Sequence, residues 1–381
     1  MKKVKKFILR CFNAANSCLR SLCEKANWST KLYDKVIMPA VVDVLFLNNR
    51  WLGKKLYYGF FLRTDNVTKT CLTEEQRNNR KEYDRICKDV MKSWLIFDIA
   101  PIEYFLYQFE KRDYWQRNEF LPDNHRWNVL HERFGPEVKK DHGDKWRFYQ
   151  MAKPYFKRDA CHVGGDAPKE DYLAFVAKHP KFFVKELEGC FGKNAYLLDT
   201  KSDEEREEVY QKLITHGEWI LEELIIQSEE MARWNDTSVN SVRMPSFITK
   251  DGTHHLVEPF FRAGRKGEIV DNAMNGGVVA GVDEKTGIFI TDGFDEFGRH
   301  FEKHPTSGHP IKGWQVPKWD ELCRLTEEIH RSMPPYHRYV ALDFALTDDG
   351  WVLVEANWGQ LSFCQAGAQR GVKKLFYEYI Q

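Results

Sequence analysis

Leu342-Asp343-Phe344-Ala345-Leu346-Thr347-Asp348-Asp349-Gly350-Trp351-Val352-Leu353-Val354-Glu355-Ala356-Asn357-Trp358-Gly359 is the stretch on which the reading of this chain turns. Two apolar runs flank a polar Asp-Asp-Gly turn, the pattern of a hairpin between buried strands. Asp343 precedes the turn and Glu355 follows it, twelve positions later. A hairpin of that size is expected to bring both acids to one face. Glu355 and Asn357 are two apart, so strand alternation sets them on the same side. An unpaired carboxylate in so apolar a strand would be costly. Three converging oxygen donors suit a hard cation such as magnesium, which keeps positions open for phosphate oxygens. The competing reading is a pair of solvent-facing acids beside a turn.

Working back along the chain, Phe183-Val184-Lys185 runs into Gly189-Cys190-Phe191-Gly192-Lys193-Asn194, and Ala195 to Leu198 resumes an apolar strand. Two glycines let backbone amides approach an anion, and a lysine on the leading strand adds a point charge for phosphate. This is not a Walker loop, because the glycine spacing differs and no Ser or Thr follows the lysine; an ordinary hairpin turn stays open as the alternative. Trp219-Ile220-Leu221 reads as a buried strand running into Glu222-Glu223-Leu224-Ile225, whose backbone is a candidate edge for an adenine ring. Between and around these pieces, helices are predicted over Thr73–Phe109, Asp144–Tyr155, Lys169–Lys178, Glu204–His216 and Trp319–Met333. Gly135-Pro136 breaks the chain. Strands are predicted over Val239–Thr249, His254–Arg262 and Val278–Val282. Strand runs interrupted by helices indicate an α+β fold, not a repeat or a bundle.

The totals agree. The chain has 381 residues, 43% hydrophobic and 30% charged, enough for two or three packed units with ordinary cores. A net charge of +1 gives no overall attraction to nucleic acid. No apolar run reaches the roughly 18 residues of a membrane span. Nine scattered cysteines, with no Cys-x-x-Cys pair, suit reduced thiols in a cytoplasm better than a disulfide framework. Charge is uneven: the first 63 residues hold thirteen basic residues against three acidic ones. Phe7, Ile8, Cys11, Phe12, Ala15, Cys18, Leu19 and Leu22 recur at helical spacing there. Such a basic amphipathic helix is expected either on an anionic lipid surface or packed on its own protein with its lysines in water.

In order and spacing these pieces resemble the ATP-grasp superfamily. The resemblance makes Lys145, after Asp144, the first phosphate lysine and Lys185 the second. It makes Gly189 and Gly192 the phosphate loop, and Glu222, Glu223 and Ile225 the adenine hinge. Glu229 or Glu230 would face the ribose, and Asp343, Glu355 and Asn357 would be the metal ligands. A narrower likeness runs through Ser238-Val239-Asn240-Ser241-Val242-Arg243, Arg262, Asp271-Asn272, Gly276-Gly277, His304-Pro305, Gly313 and Pro317-Lys318-Trp319. These are similar to the sugar-transfer-associated ATP-grasp family, linked with bacterial capsular and exopolysaccharide synthesis. Ser241 stands where that family usually has threonine, which keeps the hydroxyl.

The resemblance implies an ATP-grasp fold with a helical N-terminal region. Its expected divisions are a basic region 1–80, a helical lead-in 81–143, a lysine and glycine-loop subdomain 144–227, and a metal and acceptor subdomain 228–381. It implies a ligase that uses ATP and one or two Mg2+ to form an acyl-phosphate from a carboxylate substrate, for attack by an amine or related nucleophile, modifying a glycan or glycan precursor. Arg243, Arg262 and Asn272 would serve the γ-phosphate, the acyl-phosphate and the acceptor. The expected location is cytoplasmic, with the basic helix as a peripheral contact at the inner face of the membrane. Two alternatives remain: an ATP-grasp phosphotransferase on a sugar or other alcohol, and a non-catalytic nucleotide-binding partner of a glycan assembly complex. A protein kinase is set aside, since His337-Arg338-Tyr339 is not His-Arg-Asp and Asp343-Phe344 is followed by alanine.

Overall fold

The computed structural model describes residues 67–188, 195–265, 267–268, 271, 276–357 and 361–381. The expected N-terminal amphipathic helix, Gly189, Gly192 and Asn272 lie outside the described residues. The chain divides into two compact units, one ending at Asp123 and one running from Asn124 to Gln381.

In the first unit, the helix expected over Thr73–Phe109 is several helices: Glu74–Asn78, Arg80–Phe97 and Pro101–Leu106, followed by a single 3-10 turn. Local capping explains the breaks. Asn79 leaves the helical region and its side chain caps the second helix by accepting from Glu82 N. Asp98 turns left-handed at φ 59°, and Pro101 opens the next helix. Ile86, Val90, Tyr104, Tyr107, Phe109 and Phe120 fill the core of this unit. Arg117 grips Asp89 with two bonds of 2.8 Å, and Tyr104 Oη donates to the same carboxylate.

The second unit holds two antiparallel sheets. The small one comprises β1 (Ala160–Val163), β2 (Lys181–Glu186), β3 (Ala195–Asp199) and β4 (Trp219–Glu223), in the order β1-β4-β2-β3. Helices Lys169–Lys178 and Asp203–Thr215 accompany it, and Tyr172, Phe175, Val176 and Leu213 pack on Val163, Phe182, Val184 and Leu221. β2 and β3 form the expected hairpin, paired from Lys181↔Asp199 to Lys185↔Ala195.

The large sheet comprises β5 (Ser241–Ile248), β6 (His254–Leu256), β7 (Phe260–Ala263), β8 (Val278–Gly281), β9 (Gly293–Phe294), β10 (His300–Phe301), β11 (Tyr339–Thr347) and β12 (Gly350–Asn357). Its order is β10-β9-β8-β7-β5-β11-β12, with β6 also on β5, so β12 is an edge strand. One face presents Val242, Met244, Leu342 and Phe344 to a core shared with Phe148, Tyr149 and Phe156 of helix Lys145–Phe156 and Leu322 and Ile329 of helix Trp319–Ser332. Strand alternation then sends Ser241, Arg243 and Asp343 to the opposite face. Helix Leu361–Ala368 packs there so closely that Gly367 leaves no room for a Cβ on Gly281.

The hairpin of β11 and β12 contains one irregularity that decides where the acids point. From the turn outward the register is regular: Thr347↔Gly350, Leu346↔Trp351, Ala345↔Val352 and Phe344↔Leu353. Continued without interruption, it would pair Asp343 with Val354 and turn Glu355 to the other face. A β-bulge at this point skips Val354, so Asp343 pairs with Glu355 and Ala341 with Asn357. Bulges insert one residue and re-aim the side chains beyond it. The two acids share a face because of the bulge, not because of the length of the hairpin.

Candidate functional site

Asp343 is fully buried and sits between two arginines. Directly across β5, Arg243 approaches it side-on with Nε at 2.5 Å from Oδ1 and Nη2 at 2.7 Å from Oδ2. Arg262, on β7 opposite Ser241, adds Nη2 at 2.7 Å from Oδ2. Burial by itself would raise the Asp343 carboxyl, but the two guanidinium charges more than reverse it and hold the group below its ordinary value. Arg262 also donates to Ser241 Oγ at 2.9 Å and lies 3.5 Å from Asp271, while Ser241 Oγ donates to Asp271. The Asp271 carboxyl is raised, chiefly by burial. Both arginines expected to meet phosphate are therefore buried in a charge cluster and not on the surface. Sequence spacing had no means of pairing Arg243 with a residue 100 positions away.

Asn357 Nδ2 donates to Asp343 Oδ2 at 3.2 Å and to Glu355 Oε1 at 3.0 Å, so the three expected metal ligands are in mutual contact. The Glu355 side chain is 34% exposed and lies 3.8 Å from Arg243 Nη2. These groups fit a divalent cation by their chemistry: every donor is a hard oxygen, and the outer carboxylate is open to water and phosphate. Asp343 accepts four bonds, from Arg243, Arg262 and Asn357, so its oxygens are largely committed and Glu355 is the more accessible of the two carboxylates. A flip of the Asn357 amide would present its oxygen.

On the small sheet, Lys185 Nζ lies 2.5 Å from Glu222 Oε2. Glu222 is buried, and Arg158 Nη2 holds its other oxygen at 2.7 Å. Burial would raise the Glu222 carboxyl, and Arg158 and Lys185 together bring it below its ordinary value. Lys145 opens its helix after the N-cap Asp144, and its Nζ donates to the carbonyls of Glu186 (2.9 Å) and Leu187 (3.1 Å), one and two residues beyond Lys185.

The hinge divides in two. Glu222 lies inside the sheet, paired with Ala160 on one side and Phe183 on the other, and Glu223 N donates to Asp159 O, so the backbone of these two residues is engaged within the fold. Among the described residues, however, the backbone of Leu224 and Ile225 makes no hydrogen bond. That extended segment fits the edge of an adenine ring, which needs a donor and an acceptor side by side. The Glu223 side chain turns away toward Asp159 and His179. Glu229 and Glu230 are both exposed at the start of the short helix Glu229–Ala232. His304 is buried against Trp234 and Ser307, with its pKa pushed down to about 4, mainly by burial. Asn240 is buried too; its amide donates to Gln227 and to the carbonyls of Met231 and Asn235.

One residue of this region had no signal in the sequence reading. Arg158 donates to Glu222 on the small sheet and to the carbonyls of Leu353 (2.5 Å) and Val354 (3.0 Å) on β12. Contacts therefore run unbroken from Lys185 through Glu222 and Arg158 to the residue before Glu355. These contacts tie the strand that carries Lys185 to the strand that carries Glu355.

A lysine-bearing small sheet joined to an acid-bearing larger one is the ATP-grasp arrangement. Residues 172–378 match the family described as sugar-transfer associated ATP-grasp, and the chain belongs to that family. A search of curated proteins gives no match. Among solved structures, the chain is similar to an ADP complex of PurK, N5-carboxyaminoimidazole ribonucleotide synthetase, with a TM-score of 0.38 and 11% identity over 61% of this chain and 50% of that one. It is also similar to D-alanyl-alanine synthetase A from Vibrio cholerae, with a TM-score of 0.40 and 11% identity over 65% and 66%. A third is the VanG D-Ala:D-Ser ligase from Enterococcus faecalis, with a TM-score of 0.40 and 11% identity over 62% and 60%. The chain thus spans between half and two thirds of the length of these proteins.

Proposed function

We propose that this protein is an ATP- and Mg2+-dependent, ADP-forming ligase that joins a carboxylate to an amine or related nucleophile through an acyl-phosphate. The family description points to a sugar-linked substrate or acceptor. We place the work at the cytoplasmic face of bacterial capsular or exopolysaccharide synthesis. The observation that supports the reading is the run of contacts from Lys185 through Glu222 and Arg158 to Val354, the neighbour of Glu355, with an open backbone at Leu224-Ile225.

Phosphoryl transfer depends on charge neutralisation and in-line placement more than on a base. The open backbone of Ile225 would take the adenine, and Glu229 the ribose. Lys145 and Lys185 would meet phosphate oxygens, together with the loop of Gly189 and Gly192. Asp343, Glu355 and Asn357 would hold magnesium, which when bound neutralises oxygens of the β- and γ-phosphates. A substrate carboxylate oxygen attacks the γ-phosphorus, the bond to the bridging oxygen breaks, and ADP leaves. The nucleophile then attacks the acyl carbon and phosphate departs with the bonding pair. Arg243 and Arg262, fixed beside this path by Asp343, would supply the positive field for the phosphate and acyl-phosphate oxygens. Asn272 would meet the acceptor.

Lys185→Ala and Glu355→Ala are expected to abolish ATP turnover while the protein stays folded, read as ADP release together with circular dichroism. Unchanged ADP release from either variant would remove the site. Product analysis tests the reaction class: an amide or ester is expected, and a stable phosphate ester would replace the ligase with a phosphotransferase.

A further inference from the structure

Arg158 follows helix Lys145–Phe156 at a left-handed turn, Lys157 having φ 48°. Its side chain is 5% exposed, and its guanidinium lies over the Phe156 ring with Cζ 4.8 Å from the centroid. A guanidinium has five N–H donors in a fixed plane. Two of them, on Nη2, reach Glu222 Oε1 and Val354 O; Nη1 reaches Leu353 O at 2.5 Å and Phe156 O at 3.5 Å. Only Nε has no partner.

The carbonyls it meets are particular ones. β12 is the outer strand of its sheet, and Val354 is the residue skipped by the bulge. A carbonyl on the outer side of such a strand has no ladder partner and needs another donor. Arg158 supplies that donor to both consecutive carbonyls. The same bulge carries Glu355 and Asn357 to the face of Asp343. The other end of the guanidinium holds Glu222, which also binds Lys185.

We propose that Arg158 is the positioning residue that couples the nucleotide-binding sheet to the metal ligands, by holding the Val354 bulge while sharing Glu222 with Lys185. The inference rests on the nucleotide reading above. When phosphate draws Lys185 away from Glu222, Arg158 remains as its partner, so the hinge strand stays tied to β12. A lysine at position 158 has one point of charge and cannot span Glu222 and two carbonyls at once.

The test uses the full chain and calorimetric ADP binding, with and without Mg2+. In the wild type, Mg2+ is expected to tighten ADP; no ADP binding at all would sink the nucleotide reading and overturn the coupling role of Arg158 with it. Given that binding, Arg158→Lys is expected to lose about 10-fold or more of the affinity seen with Mg2+, and to change Mg2+-free affinity much less. Its Mg2+ dependence should approach that of Glu355→Gln, and bound Mn2+ measured by electron paramagnetic resonance should fall in parallel. A wild-type ratio of the two affinities overturns the proposal, as does an equal loss under both conditions, which is what a purely structural role gives. Arg158→Gln, neutral but still able to donate to a carbonyl, repeats the comparison if the lysine variant does not fold. If neither variant folds, Arg158 is a structural tie and the proposal fails.

Discussion

Each sheet of the second unit holds a buried acid shared by two cations, and the two clusters differ in the cations they use. On the small sheet Glu222 holds Lys185 and Arg158; on the large sheet Asp343 holds Arg243 and Arg262. In the first, one partner is a lysine, 16% exposed, on a flexible stem with a single point of charge. It can leave the acid for a phosphate without breaking a planar array. In the second, both partners are forked guanidinium groups around a carboxylate of zero exposure. The small-sheet cluster is built to open, and the large-sheet cluster to hold its charges still while something else arrives. That contrast matches what a phosphoryl-transfer site needs, with one side following the nucleotide and the other preorganised.

The sharpest way to break this comparison is to neutralise each acid. Asp343→Asn leaves two buried arginines short of charge and is expected to cost about 3–5 kcal/mol, as breaking buried ion pairs does. Urea unfolding would measure it; a loss near zero would mean that the arginines find other partners easily. Glu222→Gln is expected to cost less, roughly 2–3 kcal/mol, because Lys185 can turn to water and only Arg158 is stranded. Equal losses in the two variants would erase the distinction between an opening and a fixed cluster.

Acid sharpens it from another side. Both carboxyls are held below their ordinary values in the folded state, so their stabilisation is present above the unfolded value and is lost only as pH falls through the lowered one. Buried histidines act earlier. His142 and His330 are pushed down to about 3, and His254 and His304 to about 4, with burial the main cause in each. Below an unfolded value near 6.5 the unfolded chain binds protons that the folded one refuses, so stability falls as pH drops. The slope is roughly 1.4 kcal/mol per pH unit for each such histidine. Unfolding curves between pH 6.5 and 4.5 should therefore decline in the wild type and in Lys185→Ala alike. A flat profile would mean that these rings take protons in place.

The smallest effect is expected for Lys185→Ala itself. Removing a partly exposed lysine while Arg158 still holds Glu222 should cost about 1 kcal/mol or less, against complete loss of ATP turnover. A stability loss as large as that of Glu222→Gln would make Lys185 a structural partner first and a phosphate ligand second.

The fold was legible because its signals are local. A helix opening at Asp144-Lys145, apolar strands on either side of Gly189 and Gly192, and an Asp–Glu–Asn set near residue 350 follow one another in an order that chain connectivity preserves. The helix expected over Thr73–Phe109 was legible in type and not in extent, because the breaks come from the capping geometry of Asn79 and Asp98 and not from hydrophobic period. The shared face of Asp343 and Glu355 was anticipated, yet hairpin length alone would have put Glu355 on the wrong side; a one-residue bulge corrects it. Such a bulge leaves no mark in the pattern of a continuously apolar strand, where both faces are buried and the alternation is silent.

What the sequence set by itself is the family, the strands and helices, and the candidates for meeting a triphosphate, since residue chemistry and strand alternation are properties of a short stretch of chain. Only the tertiary structure decided their partners. Glu222 lies 64 residues from Arg158, and Asp343 lies 100 from Arg243 and 81 from Arg262. Salt bridges and strand edges are settled by which backbone comes alongside, and at those separations that depends on the whole packed sheet.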